Sequence, residues 1–348
     1  MLEDRLVEDT EQLVRFGVGQ DEGMQITVLS GGVGGSRFIK GLLAVKDPAD
    51  EITVIGNTAD DIWLFGLRVC PDLDTMLYTL GGGIDAERGW GRTEETWNAK
   101  AELSLYGADN TWFGLGDRDL ATHLIRTQML HAGAGLAEIT DRLCERWQPG
   151  VRLLPMTEQE VETHIVVREN NVRKVIHFQE YWIRLRASLP VRGIELWGIE
   201  KATAGPGVVE AIGDADIVIL PPSNPIVSVG TILAIKDIRD ALVSGPAPVV
   251  GVSPIIGGGA VRGMADQLLN GLGIEVSASG VAQHYGSRNR AGVLDGWLVD
   301  DADSSELPTI RDAGIDGQAV PLYMTDDQTT ATLARDTLDL AESLMKSG

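Results

Sequence analysis

The sequence has few of the residues that build disulfide frameworks and zinc sites. Among 348 residues there are two cysteines, Cys70 and Cys144, and neither belongs to a CxxC pair. Structural zinc sites and small disulfide scaffolds use several cysteines at short spacings. The sequence therefore argues against both kinds of site, and two reduced, buried thiols are the expected alternative.

Basic residues are also scarce. The chain has 29 lysines and arginines against 51 acidic residues, which gives a formal net charge of −22 at pH 7. Proteins that bind nucleic acid need a basic surface to neutralise phosphates, so no nucleic-acid partner is expected. The same charge repels anionic ligands at long range. A phosphate site here must act locally, through backbone N–H groups, a few arginines or a cation held by carboxylates.

Long apolar runs and nucleophile motifs are missing as well. No apolar run reaches the roughly 18 residues of a membrane span, and the start "MLEDRLVEDTEQLVRFG" is acidic, unlike a secretory signal. We therefore expect a cytoplasmic protein with no membrane partner. G-x-S-x-G and H-E-x-x-H are absent, so the pattern favours group transfer by positioning and charge neutralisation over covalent catalysis.

The order of apolar segments is typical of an α/β protein. Gln25–Leu29 and Glu51–Ile55 are continuous apolar runs, as in a parallel sheet covered on both faces. Helical patterns at 94–106, 119–131 and 136–147 interrupt this rhythm, which resumes near residue 194. We predict a Rossmann-like, doubly wound, mostly parallel sheet with an inserted, mainly helical subdomain. The predicted units are an extension at 1–23, a nucleotide- or phosphate-binding core at 24–84 and 191–348, and an insertion at 85–190 that includes a short β section.

A glycine-rich loop, Ser30–Ser36, follows the first predicted strand. It matches neither G-x-G-x-x-G nor a P-loop. Glycines let the backbone approach a ligand closely, and the next helix offers unpaired N–H groups at its start. Phosphate or diphosphate binding is the favoured interpretation, and a tight turn that needs small residues is the alternative. The four glycines are Gly31, Gly32, Gly34 and Gly35.

Four acidic residues follow the second predicted strand. "GNTADD" contains Asp60 and Asp61, and "PDLDT" adds Asp72 and Asp74. An Asp-x-Asp loop places two carboxylates within reach of one hard cation, and Mg²⁺ prefers oxygen ligands completed by water and ligand phosphates. The alternative is that "DLDT" caps the following helix, because aspartate is a favoured N-cap.

Two further loops carry polar residues. In "LGDRDLATHL", Arg118 lies between two aspartates at a predicted helix start, and either a fork on phosphate or a capping and ion-pair cluster explains it. In "LPPSNPIVSVG", prolines flank Ser223 and Asn224, and the parallel loop "VSPIIGG" contains Ser253. Rigid loops suggest ligand contact, with ordinary turn chemistry as the alternative.

The ordered set of motifs resembles the 2-phospho-L-lactate transferase (CofD/FbiA) family, which acts in biosynthesis of the deazaflavin coenzyme F-420. The similarity runs from Met24 to the C-terminal helix. The tryptophan-rich "RGWGRTEETW" and "CERWQPG" are similar to the actinobacterial branch, FbiA. The motifs are "ITVLSGGVGGSRF", "VIGNTADD", "LRVCPDLDTMLYTLGGG", "WGRTEETW", "LGDRDLATH", "PPSNPIVSVG" and "VSPII".

The resemblance implies a reaction and its partners. A phosphoenolpyruvyl or 2-phospho-L-lactyl group would move from a guanosine-diphosphate-linked donor to the terminal hydroxyl of Fo, the deazaflavin precursor, with release of GMP. Mg²⁺ would be required, and a homodimer is expected. The sequence does not distinguish the two donors.

The resemblance also implies site residues. The family's "NTGDD" motif corresponds to Asn57–Asp61, with Ala59 in place of the usual glycine, whereas "PDLDT" and "PSNP" are intact. The implied metal ligands come from Asp61, Asp72 and Asp74, and the implied catalytic residues are Asp61, Asp74, Arg92 and Arg118. The expected substrate contacts are Gly31, Gly32, Gly34, Gly35, Asn57, Asp60, Trp63, Thr75, Ser223, Asn224 and Ser253. Trp63 and Trp90 are candidates to cover the flat ring of Fo, with core packing as the alternative.

Two other functions share some of these sequence features. A nucleotide-sugar-binding regulator, such as the gluconeogenesis factor YvcK, would share the glycine loop and the "SNP" signature. The intact "PDLDT" together with "WGRTEETW" favours the transferase. A nicotinamide-dependent oxidoreductase would carry a lone acid about 20 residues after its glycines, and this chain does not.

Overall fold

A computed structural model describes residues 23–261 and 263–347 of the chain. Nearly all of the predicted N-terminal extension, residues 1–22, lies outside the described residues. Among the helices that the structure describes, none is both long and apolar enough to cross a membrane.

The described residues form fourteen strands and twelve α-helices. The strands are β1 (Gln25–Ser30), β2 (Glu51–Gly56), β3 (Ile62–Leu64), β4 (Leu67–Val69), β5 (Arg152–Pro155), β6 (Glu162–Glu169), β7 (Val172–His177), β8 (Val191–Trp197), β9 (Ile217–Leu220), β10 (Val249–Val252), β11 (Ile255–Ile256), β12 (Gly259–Ala260), β13 (Gly296–Val299) and β14 (Asp316–Ala319). The helices are α1 (Gly32–Val45), α2 (Pro71–Leu80), α3 (Asn98–Leu105), α4 (Asp119–His131), α5 (Leu136–Trp147), α6 (Val208–Gly213), α7 (Val229–Leu233), α8 (Lys236–Ser244), α9 (Ala265–Gly271), α10 (Ala278–Tyr285), α11 (Leu307–Asp312) and α12 (Asp327–Ser347).

A seven-stranded sheet holds the fold together. Its order is β14-β13-β10-β9-β1-β2-β5, and every neighbouring pair is parallel. The chain moves outward from β1 to β2 and β5, and later returns to β9 on the other side of β1. This reversal creates a topological switch point between β1 and β9, where ligands bind in open α/β sheets. The predicted doubly wound α/β class is confirmed.

Apolar side chains cover both faces of the sheet. Along β9, Ile217 and Ile219 join one buried cluster, whereas Val218 and Leu220 join the other. Successive side chains of a strand point to opposite faces, so continuous apolar runs are required where both faces are buried. The polar residues of the site therefore collect at the carboxyl ends of the strands, where the runs stop.

The segment predicted as an insertion, 85–190, contains α3, α4 and α5 but also contributes to the central sheet. Its strand β5 pairs in parallel with β2, with Thr53 opposite Arg152. Conversely β8, which begins just after that segment, pairs with β6 in a separate antiparallel sheet of order β7-β6-β8. The predicted insertion thus supplies β5 to the central sheet, and the predicted core supplies β8 to the antiparallel sheet. Strand pairing therefore crosses the predicted boundary between the two units.

Candidate functional site

The glycine loop lies at the switch point. Gly31 caps α1 in an extended conformation, and Gly32 has a positive φ of 66°, a region that favours glycine. A Cβ atom on Gly31 would stand 2.3 Å from Asp72 Oδ2, and one on Gly34 would stand 2.5 Å from the Pro222 carbonyl oxygen. Small residues are needed because the loop touches both the carboxylate region and the loop after β9.

Ser223 joins the loops that follow β1 and β9. Its hydroxyl donates a 2.9 Å hydrogen bond to the Gly31 carbonyl and lies 3.4 Å from the Ser30 hydroxyl. Asn224 shapes the same loop, because its side-chain oxygen accepts hydrogen bonds from the N–H groups of Ile226 and Val227 at 3.0 and 3.1 Å. Sequence positions far apart thus meet at the start of α1, where helix N–H groups favour an anion.

Four buried carboxylates lie near one another, and one of them, Asp72, contacts the glycine loop. Asp60 and Asp61 follow β2, and Asp72 and Asp74 occupy the first turn of α2; their exposed fractions are 3%, 0%, 8% and 5%. We call these four residues the carboxylate group. A cation site requires its carboxylates to lie close together. The "ADD" and "DLD" motifs bring these four to one end of the sheet.

Asn57 ties the carboxylate group to the loop after β9. Its side-chain N–H donates to Asp72 Oδ2 at 2.9 Å and to the Val227 carbonyl at 3.1 Å. Its side-chain oxygen accepts from Ala59 N at 2.9 Å and from Thr231 Oγ1 at 2.8 Å. All four hydrogen bonds are internal and fill the capacity of the amide, so Asn57 fixes the loop that carries Asp60 and Asp61. Its contact with substrate stays a prediction.

Burial and crowding raise the pKa values of Asp60, Asp61 and Asp72. Burial raises the pKa of Asp61 to about 6, although the Arg68 guanidinium opposes the shift. Burial likewise raises the pKa of Asp72 to about 6. Burial, followed by the charges of Asp72 and Asp61, holds the pKa of Asp60 well above its usual range. A cation placed among them would relieve this repulsion.

The donor set fits Mg²⁺ with an incomplete protein shell. The buried Oδ1 atoms of Asp60 and Asp61 have no hydrogen-bond partner. Within the described part of the chain, no three histidine, cysteine or acidic side chains are already arranged around a common metal position. Mg²⁺ is commonly held by one or two carboxylates plus waters and substrate phosphates, so a partial set of oxygen ligands suits it.

Asp74 differs from the other three acids because a buried arginine contacts both of its carboxylate oxygens. Arg126 Nη1 lies 3.1 Å from Asp74 Oδ2, and its Nη2 contacts Asp74 Oδ1. A second arginine, Arg68, places Nη2 3.2 Å from Asp61 Oδ2. Neither arginine is among the site residues predicted from the sequence. For Arg126 a signal existed: Asp119, His123 and Arg126 repeat at helical spacing.

Asp61 also receives support from the antiparallel sheet through its backbone. His177 Nδ1 accepts a hydrogen bond from Gln179 N at 3.1 Å, so its Nε2–H is the donor to the Asp61 carbonyl oxygen at 3.2 Å. Burial lowers the pKa of His177 to about 4, so the ring is neutral at pH 7. The neighbouring strand β6 adds a bond from Thr163 N to the Ala59 carbonyl at 2.7 Å.

Arg92 and Arg118 lie together, beside Tyr78 of α2. Arg92 Nη1 donates to the Arg118 carbonyl at 2.8 Å, and its guanidinium lies 5.1 Å from the Trp147 ring centre and 5.9 Å from that of Tyr78. Arg118 pairs with Glu94 at 3.0 Å and is half exposed. Tyr78 lies one helical turn beyond Asp74 on α2. The two arginines are therefore displaced along α2 from the carboxylate group and do not contact it. Their contact with a phosphate stays a prediction.

The aspartates of "GDRD" serve the local fold. Asp117 accepts hydrogen bonds from Asn98 N at 3.0 Å and Ala99 N at 2.9 Å, which caps α3. Glu95 accepts from Arg118 N at 2.7 Å and Asp119 N at 3.1 Å, which caps α4. Of the two interpretations of this motif, the geometry supports the capping and ion-pair cluster.

Trp63 lies on β3 at the edge of a small cavity. Its ring is 37% exposed, its N–H donates to Glu160 Oε1 at 3.0 Å, and Arg68 lies 5.7 Å from its centre. The cavity has a volume of about 240 Å³, and its lining includes Leu130 and Leu136. Trp63 is therefore available to a ligand, as a ring-covering role requires.

The remaining predicted residues are dispersed. Thr75 follows Asp74 in α2 and is half-buried. Ser253 closes the turn after β10, where its hydroxyl donates to the Ile255 carbonyl at 2.8 Å. Trp90 is 46% exposed and packs edge-on against Trp97, 6.2 Å between ring centres. None of these three side chains contacts the carboxylate group, and their roles stay predictions.

Known proteins match the chain over most of its length. The family model for "2-phospho-L-lactate transferase CofD" matches residues 26–332. A protein named "Phosphoenolpyruvate transferase" from Streptomyces coelicolor is 56% identical over 93% of this chain and 100% of its own length. Proteins of the same name from Streptomyces griseus and Mycolicibacterium smegmatis are 57% and 54% identical, over 92% and 91% of this chain and 99% of each relative.

Solved structures agree on the fold. Two crystal structures of a Bacillus halodurans protein, one of them described as a member of the UPF0052 family, superpose with TM-scores of 0.63 and 0.60. They cover 91% and 90% of this chain and 99% of the other, at 16% identity. At that identity the likeness concerns the architecture alone.

Proposed function

The chain belongs to the 2-phospho-L-lactate transferase CofD family, with actinobacterial FbiA-like relatives, and from that membership we propose its reaction. It is a transferase of this family. We propose that it moves a phosphoenolpyruvyl group from a guanosine-diphosphate-linked donor to the hydroxyl of Fo, releasing GMP and forming dehydro-coenzyme F-420-0. The 2-phospho-L-lactyl donor, which would give coenzyme F-420-0, is the alternative substrate.

One observation carries the proposal: the glycine loop and the carboxylate group meet at the switch point of the sheet. The Cβ position of Gly31 lies 2.3 Å from Asp72 Oδ2. A diphosphate at the start of α1 would therefore lie beside the acids, a contact that only an intervening cation makes favourable in a protein of charge −22. The relatives' shared name supports the enolpyruvyl donor.

Mg²⁺ is part of the proposal. One or two of Asp60, Asp61 and Asp72 would hold it, because the first two have unpartnered oxygens and the third faces the glycine loop. Bound there, Mg²⁺ would neutralise charge on the diphosphate as the leaving phosphate separates. Asp74 would act from the buried ion pair with Arg126, where its charge orients the neighbouring acids.

The chain's own residues supply binding, orientation and a proton acceptor. The Fo hydroxyl oxygen bonds to the phosphorus that carries the enolpyruvyl group, while the bond from that phosphorus to the bridging oxygen breaks and GMP departs. The hydroxyl proton passes to a carboxylate, for which Asp61 is our candidate when Asp60 and Asp72 hold the metal, because its unpartnered Oδ1 then stays free. An alcohol loses its proton only as the new bond forms, so a weakly basic carboxylate suffices.

We place the ring of the acceptor Fo near Trp63. The exposed indole of Trp63 and the cavity of about 240 Å³ beside it adjoin Arg68, which pairs with Asp61. A flat deazaflavin ring stacked on the indole would bring its ribityl chain toward the carboxylate group. Ser223 and Asn224 would contact the guanosine nucleotide on the opposite side of the glycine loop.

The test is a reconstituted reaction. The protein is incubated with Fo, Mg²⁺ and either the enolpyruvyl or the lactyl donor, and GMP and the phosphodiester product are measured by mass spectrometry. We expect equal amounts of GMP and dehydro-coenzyme F-420-0 from the enolpyruvyl donor, and none without Fo. Absence of GMP with both donors would refute the proposed function.

A further inference from the structure

The buried face of α4 is polar, whereas helices usually turn their apolar side chains inward. Leu124 and Ile125 of α4 are 56% and 46% exposed. The inward face carries residues at helical spacing, each at most 9% exposed: Asp119, Thr122, His123, Arg126 and Thr127. Burying such groups is costly unless each one is paired, so their contacts should reveal a purpose.

Arg126 connects α4 to two elements of the site. On α2 it forks across both carboxylate oxygens of Asp74. On β4 its Nη1 donates to the Arg68 carbonyl at 3.3 Å, while Thr127 Oγ1 accepts from Arg68 N at 2.8 Å. Both backbone hydrogen-bonding groups of Arg68 are thus held by one turn of α4.

Arg68, held in this way, contacts one member of the carboxylate group, Asp61. Its side chain places Nη2 3.2 Å from Asp61 Oδ2 and is itself 5% exposed. The β3–β4 hairpin that carries Arg68 has strands of three residues, and its apolar cluster has three fully buried members, Leu64, Val69 and Leu115. So short a hairpin is poorly fixed by its own pairing, and α4 provides the missing anchor.

We propose that Arg126 is a positioning residue of the transfer site, which fixes Asp74 on α2 and Arg68 on β4, and through Arg68 the carboxylate of Asp61. The inference rests on the function proposed above, because it concerns the same site. A buried ion pair can often be exchanged for apolar residues without loss of stability. What an apolar pair cannot supply is a planar fork that sets two chain segments relative to each other.

The deciding variant is Arg126→Lys. Lysine keeps the positive charge beside Asp74, but its single ammonium cannot span both carboxylate oxygens and the Arg68 carbonyl. We expect kcat to fall about 100-fold, as for a misplacement of about 1 Å, with the donor KM within about threefold. The matched control is Arg142→Lys on α5, an exposed partner of Glu145, which should change nothing.

A purely structural role gives a different result. In that case Arg126→Lys, which preserves the charge, would keep kcat near the wild-type value. Alternatively, any loss of activity would disappear on cooling far below the melting temperature of the variant. Retention of more than about half of wild-type kcat would overturn the inference, since a positioning error of this kind costs far more.

Metal binding supplies a readout that needs no turnover. Mn²⁺ is titrated by electron paramagnetic resonance in the presence of GDP, with wild type and Arg126→Lys compared at equal folded fraction. We expect Mn²⁺ binding about tenfold weaker in the variant, the usual size of an effect on a residue behind the ligands. Equal affinity, or no Mn²⁺ binding by the wild type, would overturn the inference. A wild type that binds Mn²⁺ but releases no GMP would instead refute the proposed function alone.

Discussion

Gly31 and the carboxylate of Asp72 are in direct contact, so that a Cβ atom on Gly31 would stand 2.3 Å from Asp72 Oδ2. Gly31 is the N-cap of α1, and Asp72 lies in the first turn of α2. The N-termini of two helices thus meet at one point: α1 begins at the glycine loop, where we propose that a phosphate binds, and α2 carries two of the acids in its first turn. In our proposal this contact links the anion site to the cation site.

Gly31→Ala should therefore impair ligand binding more than folding. Gly31 has an extended backbone, so alanine is not strained there, but its methyl group would push Asp72 away from Asn57. We expect the affinity for GDP with Mg²⁺ to fall at least about tenfold, measured by calorimetry. Gly213→Ala is the control, because a Cβ there meets nothing within 4 Å. Equal GDP affinity in both variants would contradict the contact.

The dependence on Mg²⁺ should steepen below pH 6. Burial raises the pKa values of Asp61 and Asp72 to about 6, and a carboxylate must be ionised to bind a cation. As the pH falls through 6 both groups take up protons. The Mg²⁺ concentration for half-maximal activity should then rise by about tenfold or more per pH unit. A requirement that stays constant from pH 7.5 to 5 would exclude both acids as ligands.

Metal binding weakens as the pH falls, but the stability of the metal-free fold should rise. In the folded chain Asp61 and Asp72 bind protons more tightly than at their ordinary value of 3.8. The folded state therefore binds more protons than the unfolded state between about pH 4 and pH 6, and these groups add stability as the pH falls through that window. The difference in melting temperature between wild type and Asp72→Asn isolates the effect. A difference that does not vary with pH would contradict it.

Neighbouring aspartates should respond to amidation in opposite ways. Asp74→Asn leaves the buried Arg126 without its counter-charge, so we expect the free energy of unfolding to fall by about 3–5 kcal/mol together with loss of turnover. Asp61→Asn also removes the partner of Arg68, but burial outweighs that guanidinium in setting the pKa of Asp61, so stability should be unchanged or higher while turnover is lost. Denaturant unfolding and initial rates measure both. Equal stability losses would contradict the assigned partners.

Asp117→Ala should loosen α3 without unfolding the protein. Asp117 accepts four hydrogen bonds at the start of this helix, and these bonds lower its pKa to about 2, with that from Thr96 the largest cause. No residue of α3 is fully buried, so the helix depends on its cap. Amide exchange in 98–105 should rise while the melting temperature stays constant. Unchanged exchange would show that α3 is held elsewhere.

Local patterns were sufficient to predict the elements that line the site. The runs that became β1 and β2 were located to within one residue, because strands buried on both faces must be continuously apolar. The bounds of α4 and α5 agree with the predicted 119–131 and 136–147. The glycine loop and the acidic motifs were visible because each is a short contiguous stretch.

Pairings between distant segments were not visible. The sequence pattern at 230–243 is typical of a single helix, but the structure has two, α7 and α8. Ile235 between them adopts an extended conformation and is fully buried, a tertiary preference that the local pattern does not show. Arg126 and Asp74 are 52 positions apart, and only the packing of α4 on α2 makes them a pair. Arg68 was missed for the same reason, because its role depends on where the β3–β4 hairpin lies.

The most direct test of the account is a crystal structure with GDP and Mn²⁺, examined by anomalous scattering. We predict one Mn²⁺ peak bonded both to an oxygen of Asp60, Asp61 or Asp72 and to a phosphate oxygen of GDP, with the diphosphate against the start of α1. A metal peak away from these carboxylates, or a diphosphate at another edge of the sheet, would contradict the central claim that the glycine loop and the carboxylate group form one site.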